Sequence, residues 1–229
     1  MAFCDELKQE ANLYWEASFR HPFVKGIVAG NLDLELFKFY MMQDAYYLKH
    51  YTKVLALAAV IAEKDQVAYF LEQSRQIYEA ELEIHDTVFK HLKVNQEELE
   101  AFIPAPATHN YISHLYQVTY NGDVAEAFAA ILPCPWLYQE IGEKYKAAQP
   151  EPILYQNWLT FYGSSEYKGA IEEQKQMMNE YAAAQPHKKA IFKAHFVKSC
   201  YYEWKFWDMS WTLENWEDEV MKYDYAKNS

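Results

Sequence analysis

Several side chains stand where a packed helix would rarely place them. Cys134 lies between Pro133 and Pro135 at the end of the apolar run Ala129-Ala130-Ile131-Leu132. Asp44 falls among Phe37, Tyr40, Tyr47 and Tyr51 at helical spacing. Glu203 shares a face with Phe196, Ser199, Cys200, Phe206 and Trp207, and Glu81 and His85 stand four residues apart. A polar group on a core-facing stripe must be satisfied where it sits. Desolvation raises a carboxyl's pKa, which suits proton transfer near neutrality. A thiol becomes a nucleophile when its surroundings favour the thiolate.

Cys134 has local grounds for that role. A residue before proline is pushed out of the α region, and Pro135 suits the first position of a helix. Cys134 is therefore expected at or near the amino cap of a helix running from Trp136 to Gly142. Exposed N–H groups and the positive dipole end there would draw its pKa from about 8.5 toward neutrality. Tyr138 lies one turn on and points the same way. Each of these residues also has a purely structural reading. Cys134 could mark a helix kink, and a buried carboxylate could be held by a neighbouring Tyr, Arg or backbone amide. Glu81 and His85 could bond each other, while Cys200 reads as a small core hydrophobe and Cys4 has no functional case.

The elements that must position these groups are helices. Phe37, Tyr40, Asp44, Tyr47, Tyr51, Val54 and Leu55 make one face between residues 33 and 62. Val67, Leu71, Ser74, Tyr78, Glu81, His85, Val88 and Leu92 make the next stripe. Asn95 with Glu98 forms a capping box, and Pro104 and Pro106 force a loop. Asn110 to Tyr120 is expected as helix, ending at Asn121-Gly122. Asp123 caps a helix to Leu132, which the two prolines interrupt. Further helices are expected near 152–162, 165–184 and 187–209, with a short one after Thr212. Strand-like alternation is nowhere sustained. The expectation is all-α: a single-domain bundle, residues 1–229, of about ten helices.

Composition narrows the function. With 33 acidic against 21 basic residues the formal net charge is −12, which disfavours nucleic acid and anionic membranes as partners. The apolar stretch Val54 to Ala62 is too short to span a bilayer. Three widely spaced cysteines without a C-x-x-C read as a reduced chain, and an acidic amino terminus does not read as a signal peptide, so a cytoplasmic location is expected. None of the 8 histidines has Asp or Glu three residues before it, no cysteine cluster suits zinc, and no glycine-rich phosphate loop occurs. No metal and no cofactor are therefore expected. The 20 tyrosines, many on the stripes that carry the buried acids, suit walls around a flat heteroaromatic ligand, though most will be ordinary core.

Read together, four segments resemble the TenA/thiaminase II family of aminopyrimidine aminohydrolases in thiamin salvage. They are His21-Pro22-Phe23-Val24, Phe39-Tyr40-Met41-Met42-Gln43-Asp44-Ala45-Tyr46-Tyr47-Leu48, Leu132-Pro133-Cys134-Pro135-Trp136-Leu137-Tyr138 with Ile141-Gly142, and Tyr201-Tyr202-Glu203-Trp204-Lys205-Phe206-Trp207. The likeness covers nearly the whole chain, and Cys134 places it in the cysteine-containing class. The resemblance implies a haem-oxygenase-like helical fold without haem, a homotetramer, and a small-molecule aminopyrimidine or thiamin as substrate. It implies Cys134 as nucleophile, Glu203 as acid/base at a ring nitrogen and Asp44 as acceptor from the 4-amino group. Tyr47 would face the ring, and Tyr111, Tyr138 and Tyr162 would supply hydroxyls, Tyr111 and Tyr162 lying in looser motifs. Two other readings stay open at this level: an oxidoreductase on the same fold, and a non-catalytic pyrimidine-binding regulatory module.

Overall fold

A computed structural model describes residues 1–216, with only the backbone described over residues 80–86. The side chains of Glu81 and His85 thus lie outside the described residues. Among the described residues twelve α-helices follow in chain order: α1 (Phe3–Glu10), α2 (Asn12–Arg20), α3 (Pro22–Ala29), α4 (Leu34–Ile61), α5 (Lys64–His91), α6 (Gln96–Glu100), α7 (Pro106–Asn121), α8 (Val124–Ile131), α9 (Pro133–Tyr145), α10 (Ile153–Tyr162), α11 (Ser165–Ala184) and α12 (Lys189–Thr212). A 3-10 turn over Pro186–Lys188 joins the last two. No strand occurs among the described residues, and no helix in them is long and apolar enough to cross a membrane.

The starts of these helices follow from local chemistry. Asp33 accepts from the Glu35 amide at 2.9 Å and opens α4, and Asp123 accepts from the Glu126 amide at 3.0 Å and opens α8. Asn95 and Glu98 form the expected reciprocal capping box of α6. Pro106 departs from expectation, because it occupies the first turn of α7 and only residues 101–105 form the connection. A proline there has the φ a helix needs and gives up only an amide that would be unpaired anyway.

The long helices α4 and α5 pack along each other and form one side of the bundle. All seven residues of the α4 stripe are buried. The α5 stripe is rotated from its expected phase: Leu71 and Tyr78 are each 52% exposed, while Phe70 is fully buried against Phe128. Positions 67, 70, 74 and 77 describe a helical face as well as 67, 71, 74 and 78, and the large Phe70 ring decides between them. Ser74, common to both, donates to the Thr52 carbonyl at 2.8 Å and ties α5 to α4.

Helix α12 lies at the centre, packed on α2, α3, α4, α7, α8 and α9. It buries Phe192, Phe196, Phe206 and Trp207, each contributing about 1.5–3 kcal/mol relative to exposure. Glu140 of α9 ties three helices together by accepting from Lys8, Trp15 and Trp136 at 2.7–3.0 Å. At the far end of α9, Gly142 meets the α10–α11 turn so closely that an added Cβ would lie 2.3 Å from the Gly163 nitrogen.

Candidate active site

Five helices converge on one interior point. Helix α4 brings Asp44 and Tyr47, one turn apart, and α7 brings Tyr111. Cys134 and Tyr138 come from α9, four residues apart, while α10 ends in Tyr162 and α12 supplies Glu203. The seven residues singled out from the sequence therefore lie together. Asp44, Tyr47, Tyr111, Tyr138 and Glu203 are buried, whereas Cys134 and Tyr162 keep partial exposure.

Contacts order this wall. The Tyr111 hydroxyl donates to Glu203 Oε1 at 2.6 Å, a short charge-assisted geometry when the carboxyl is ionised. The Tyr47 and Tyr111 rings lie 4.9 Å apart. Tyr138 packs against Tyr162 at 4.8 Å and Trp207 at 4.9 Å. The Tyr40 hydroxyl donates to that of Tyr138 at 3.2 Å and accepts from Trp158 Nε1 at 3.3 Å, which fixes the Tyr138 ring. The Tyr47 hydroxyl is buried without a well-formed hydrogen bond, yet it approaches Cys134 and Tyr111 closely enough to ease the ionisation of both.

Burial dominates the electrostatics. It pushes Glu203 up to about 8, against hydrogen bonds from Tyr111 and Cys134 that favour its anion. It pushes Asp44 up to about 7, and among the described residues no group donates a hydrogen bond to that carboxyl. No basic side chain is among the influences on Asp44, Glu203 or Cys134. Such a centre complements a ligand that brings N–H donors or positive charge.

Cys134 corrects the sequence expectation on two counts. Helix α9 begins at Pro133 and not at Trp136, and Cys134, near the cap as expected, lies inside its first turn. Its pKa is driven well above the ordinary thiol value, by desolvation first and then by the charge of Glu203. The physical reason is that α9 has no free amino terminus. Leu132 has helical dihedrals (φ −59°, ψ −35°) and caps both helices, its amide donating to Phe128 and its carbonyl accepting from Trp136. The prolines add no N–H groups. What remains of the dipole is outweighed by a dry site with two carboxyls, so the resting group is a thiol.

Sequence reasoning missed three residues here. Tyr40 braces Tyr138, Phe206 meets Tyr47 edge-on at 5.9 Å, and Tyr167 of α11 packs on Tyr162 at 5.4 Å. Tyr40 and Phe206 were legible only as stripe residues. Tyr167 lay beyond a turn, with no spacing relation to the others. Among the described residues no group of three or more metal-ligating side chains occurs.

Fold and geometry together define an all-helical protein with a buried thiol–dicarboxyl centre walled by tyrosines. The sequence matches the TENA/THI-4/PQQC family over residues 8–213, and the chain belongs to that family. It is 39% identical over 225 residues to the aminopyrimidine aminohydrolase of Bacillus subtilis (strain 168), covering 97% of this chain and 95% of that one. It is 30% identical to the protein of the same name from Helicobacter pylori, covering 90% and 96%. A TenA homologue from P. horikoshii OT3 superposes with a TM-score of 0.87 at 28% identity, over 93% of this chain and 99% of that one. A domain of heme oxygenase-like fold from Shewanella denitrificans OS217 superposes with a TM-score of 0.71 at 17% identity, over 96% and 94%, and shares the fold.

Proposed function

We propose that the protein is a hydrolase that removes the group on the exocyclic methylene of a 4-aminopyrimidine, converting 4-amino-5-aminomethyl-2-methylpyrimidine, and thiamin as a further substrate, to the hydroxymethyl pyrimidine in thiamin salvage. The observation that carries this reading is the position of Glu203, which touches both Tyr111 and Cys134 in the cluster that also holds Asp44. Its relatives' names and the family support the substrate class.

Substrate enters with its 4-amino group toward Asp44, supplying the donor that this carboxyl lacks. Tyr47 faces the ring, with the hydroxyls of Tyr111, Tyr138 and Tyr162 around it. The raised pKa values of Cys134 and Glu203 fit one proton relay. One oxygen of protonated Glu203 gives its proton to a ring nitrogen while the other takes the thiol proton. Sulfur bonds to the electron-poor ring, and Glu203 ends as it began. The 4-amino nitrogen is now conjugated with the ring double bond that bears the exocyclic methylene, and its lone pair expels the substituent, an amine taking the Glu203 proton and a thiazolium leaving as the neutral ring. Water adds to the exocyclic carbon and gives up a proton, to Glu203 where the amine had taken one; the ring nitrogen then loses its proton as the carbon–sulfur bond breaks, and the sulfur is reprotonated to the thiol. In this reading the chain works as one domain in the cytoplasm, as a homotetramer, and the family resemblance supports that assembly.

Cys134→Ser tests the assignment. Ammonia release from the aminomethyl pyrimidine is expected to fall by about 1,000-fold or more, while calorimetry shows the hydroxymethyl product still bound. Turnover at the wild-type rate would overturn the nucleophile assignment.

A further inference from the structure

The site has an enclosed side and an open one. Asp44, Tyr47, Tyr111, Tyr138 and Glu203 are buried, whereas Cys134, Tyr162 and Tyr167 keep partial exposure. A ring substituent that differs between substrates must extend toward the less enclosed side, because the buried wall has no room to accept two sizes.

Tyr167 stands on that side. Ser164 caps α11 by accepting from the Tyr167 amide at 3.2 Å, which sets the first turn of the helix. The Tyr167 ring meets Tyr162 perpendicularly at 5.4 Å and Phe161 at 5.5 Å, so it is held by ring contacts and not by its hydroxyl. Among the described residues that hydroxyl has no hydrogen-bond partner, and it is not sealed from solvent. After burial, the groups that oppose its ionisation are Cys134, Glu203 and Asp44, the three reactive groups of the site. The Gly142–Gly163 contact seats the α10–α11 turn directly on the helix that carries Cys134.

We propose that Tyr167 is a specificity-determining residue whose hydroxyl meets the substituent on the exocyclic methylene and favours a primary amine over a bulky heteroaromatic cation. A phenol oxygen accepts from an ammonium or amine N–H. A fully substituted ring nitrogen offers no such donor. This inference rests on the aminopyrimidine hydrolase reading above.

The experiment compares wild type and Tyr167→Phe on the aminomethyl aminopyrimidine and on thiamin, with melting temperature as the control. Loss of one hydrogen bond in the transition state is expected to lower kcat/KM for the aminomethyl substrate about five- to tenfold. Turnover of thiamin should stay within about twofold, and the melting temperature should not move. Equal effects on the two substrates, or none on either, would overturn the role of Tyr167 while leaving the hydrolase reading intact. A wild-type enzyme inactive on both would instead overturn the hydrolase reading and this inference with it.

Discussion

Glu203 is set by opposing forces, of which burial is the larger. Burial favours the neutral acid, and the Tyr111 hydroxyl at 2.6 Å favours the anion. The balance leaves its pKa at about 8, where it can both give and take a proton near neutrality. Tyr111→Phe removes the donor without changing the ring that stacks between Tyr47 and Tyr202. The pKa of Glu203 should then rise further, moving the alkaline limb of the kcat/KM profile upward. The lost hydrogen bond should also lower kcat/KM by about tenfold, equivalent to about 1.4 kcal/mol. A pH profile superimposable on that of wild type would show that Tyr111 does not tune Glu203. Cys134 teaches a related lesson, since its neighbours raise the pKa that its place in the chain seemed to lower.

At the scale of elements, the site depends on how α9 meets the α10–α11 turn. A Cβ on Gly142 would lie 2.3 Å from the Gly163 nitrogen and 2.4 Å from the Tyr162 carbonyl carbon, both backbone atoms that cannot rotate away. Gly142→Ala should therefore push the turn off α9, costing about 1–3 kcal/mol of stability and displacing Tyr162. Gly169, in the interior of α11, has nothing within 4 Å of an added Cβ. Gly169→Ala should stabilise the protein by about 0.5–1 kcal/mol, because alanine loses less backbone freedom in a helix. Urea denaturation of the two variants measures both signs. A Gly142→Ala protein as stable and active as wild type would mean the contact is dispensable.

For the whole molecule, the site is a source of instability that grows with pH. The folded pKa values of Asp44 and Glu203 are raised from 3.8 to about 7 and from 4.5 to about 8. The folded state therefore keeps protons that the unfolded chain releases. This contribution is fully present below about pH 4 and lost as pH rises through about 7 to 8. Other groups act in lower windows with the opposite sign. Glu72 is held at about 2 by Arg75, so its share is gained as pH rises toward 4.5. Burial holds His21 and His114 at about 4, and their share is gained between about 4 and 6.5. The Asp44→Asn, Glu203→Gln double variant removes the first effect and leaves the others. Its stability advantage over wild type in urea should grow from pH 5 to pH 8.5. An advantage independent of pH would mean that these carboxyls are not desolvated in the free protein.

The sequence by itself determined the helical class, the α4 stripe, the caps at Asp123 and Asn95, and the residues of the thiol–dicarboxyl centre. Period, capping chemistry and polar intrusions into apolar faces are local properties, written in neighbouring residues. Tertiary structure alone decided the phase of α5, where the size of Phe70 outweighed an equally periodic alternative. It joined α8 to α9 through Leu132, so that the amino terminus expected to activate Cys134 is not free. It also brought Tyr167 to the site across a turn that no spacing rule spans. A pKa and a neighbour across space depend on which surfaces bury each other, and that is fixed only when the helices pack.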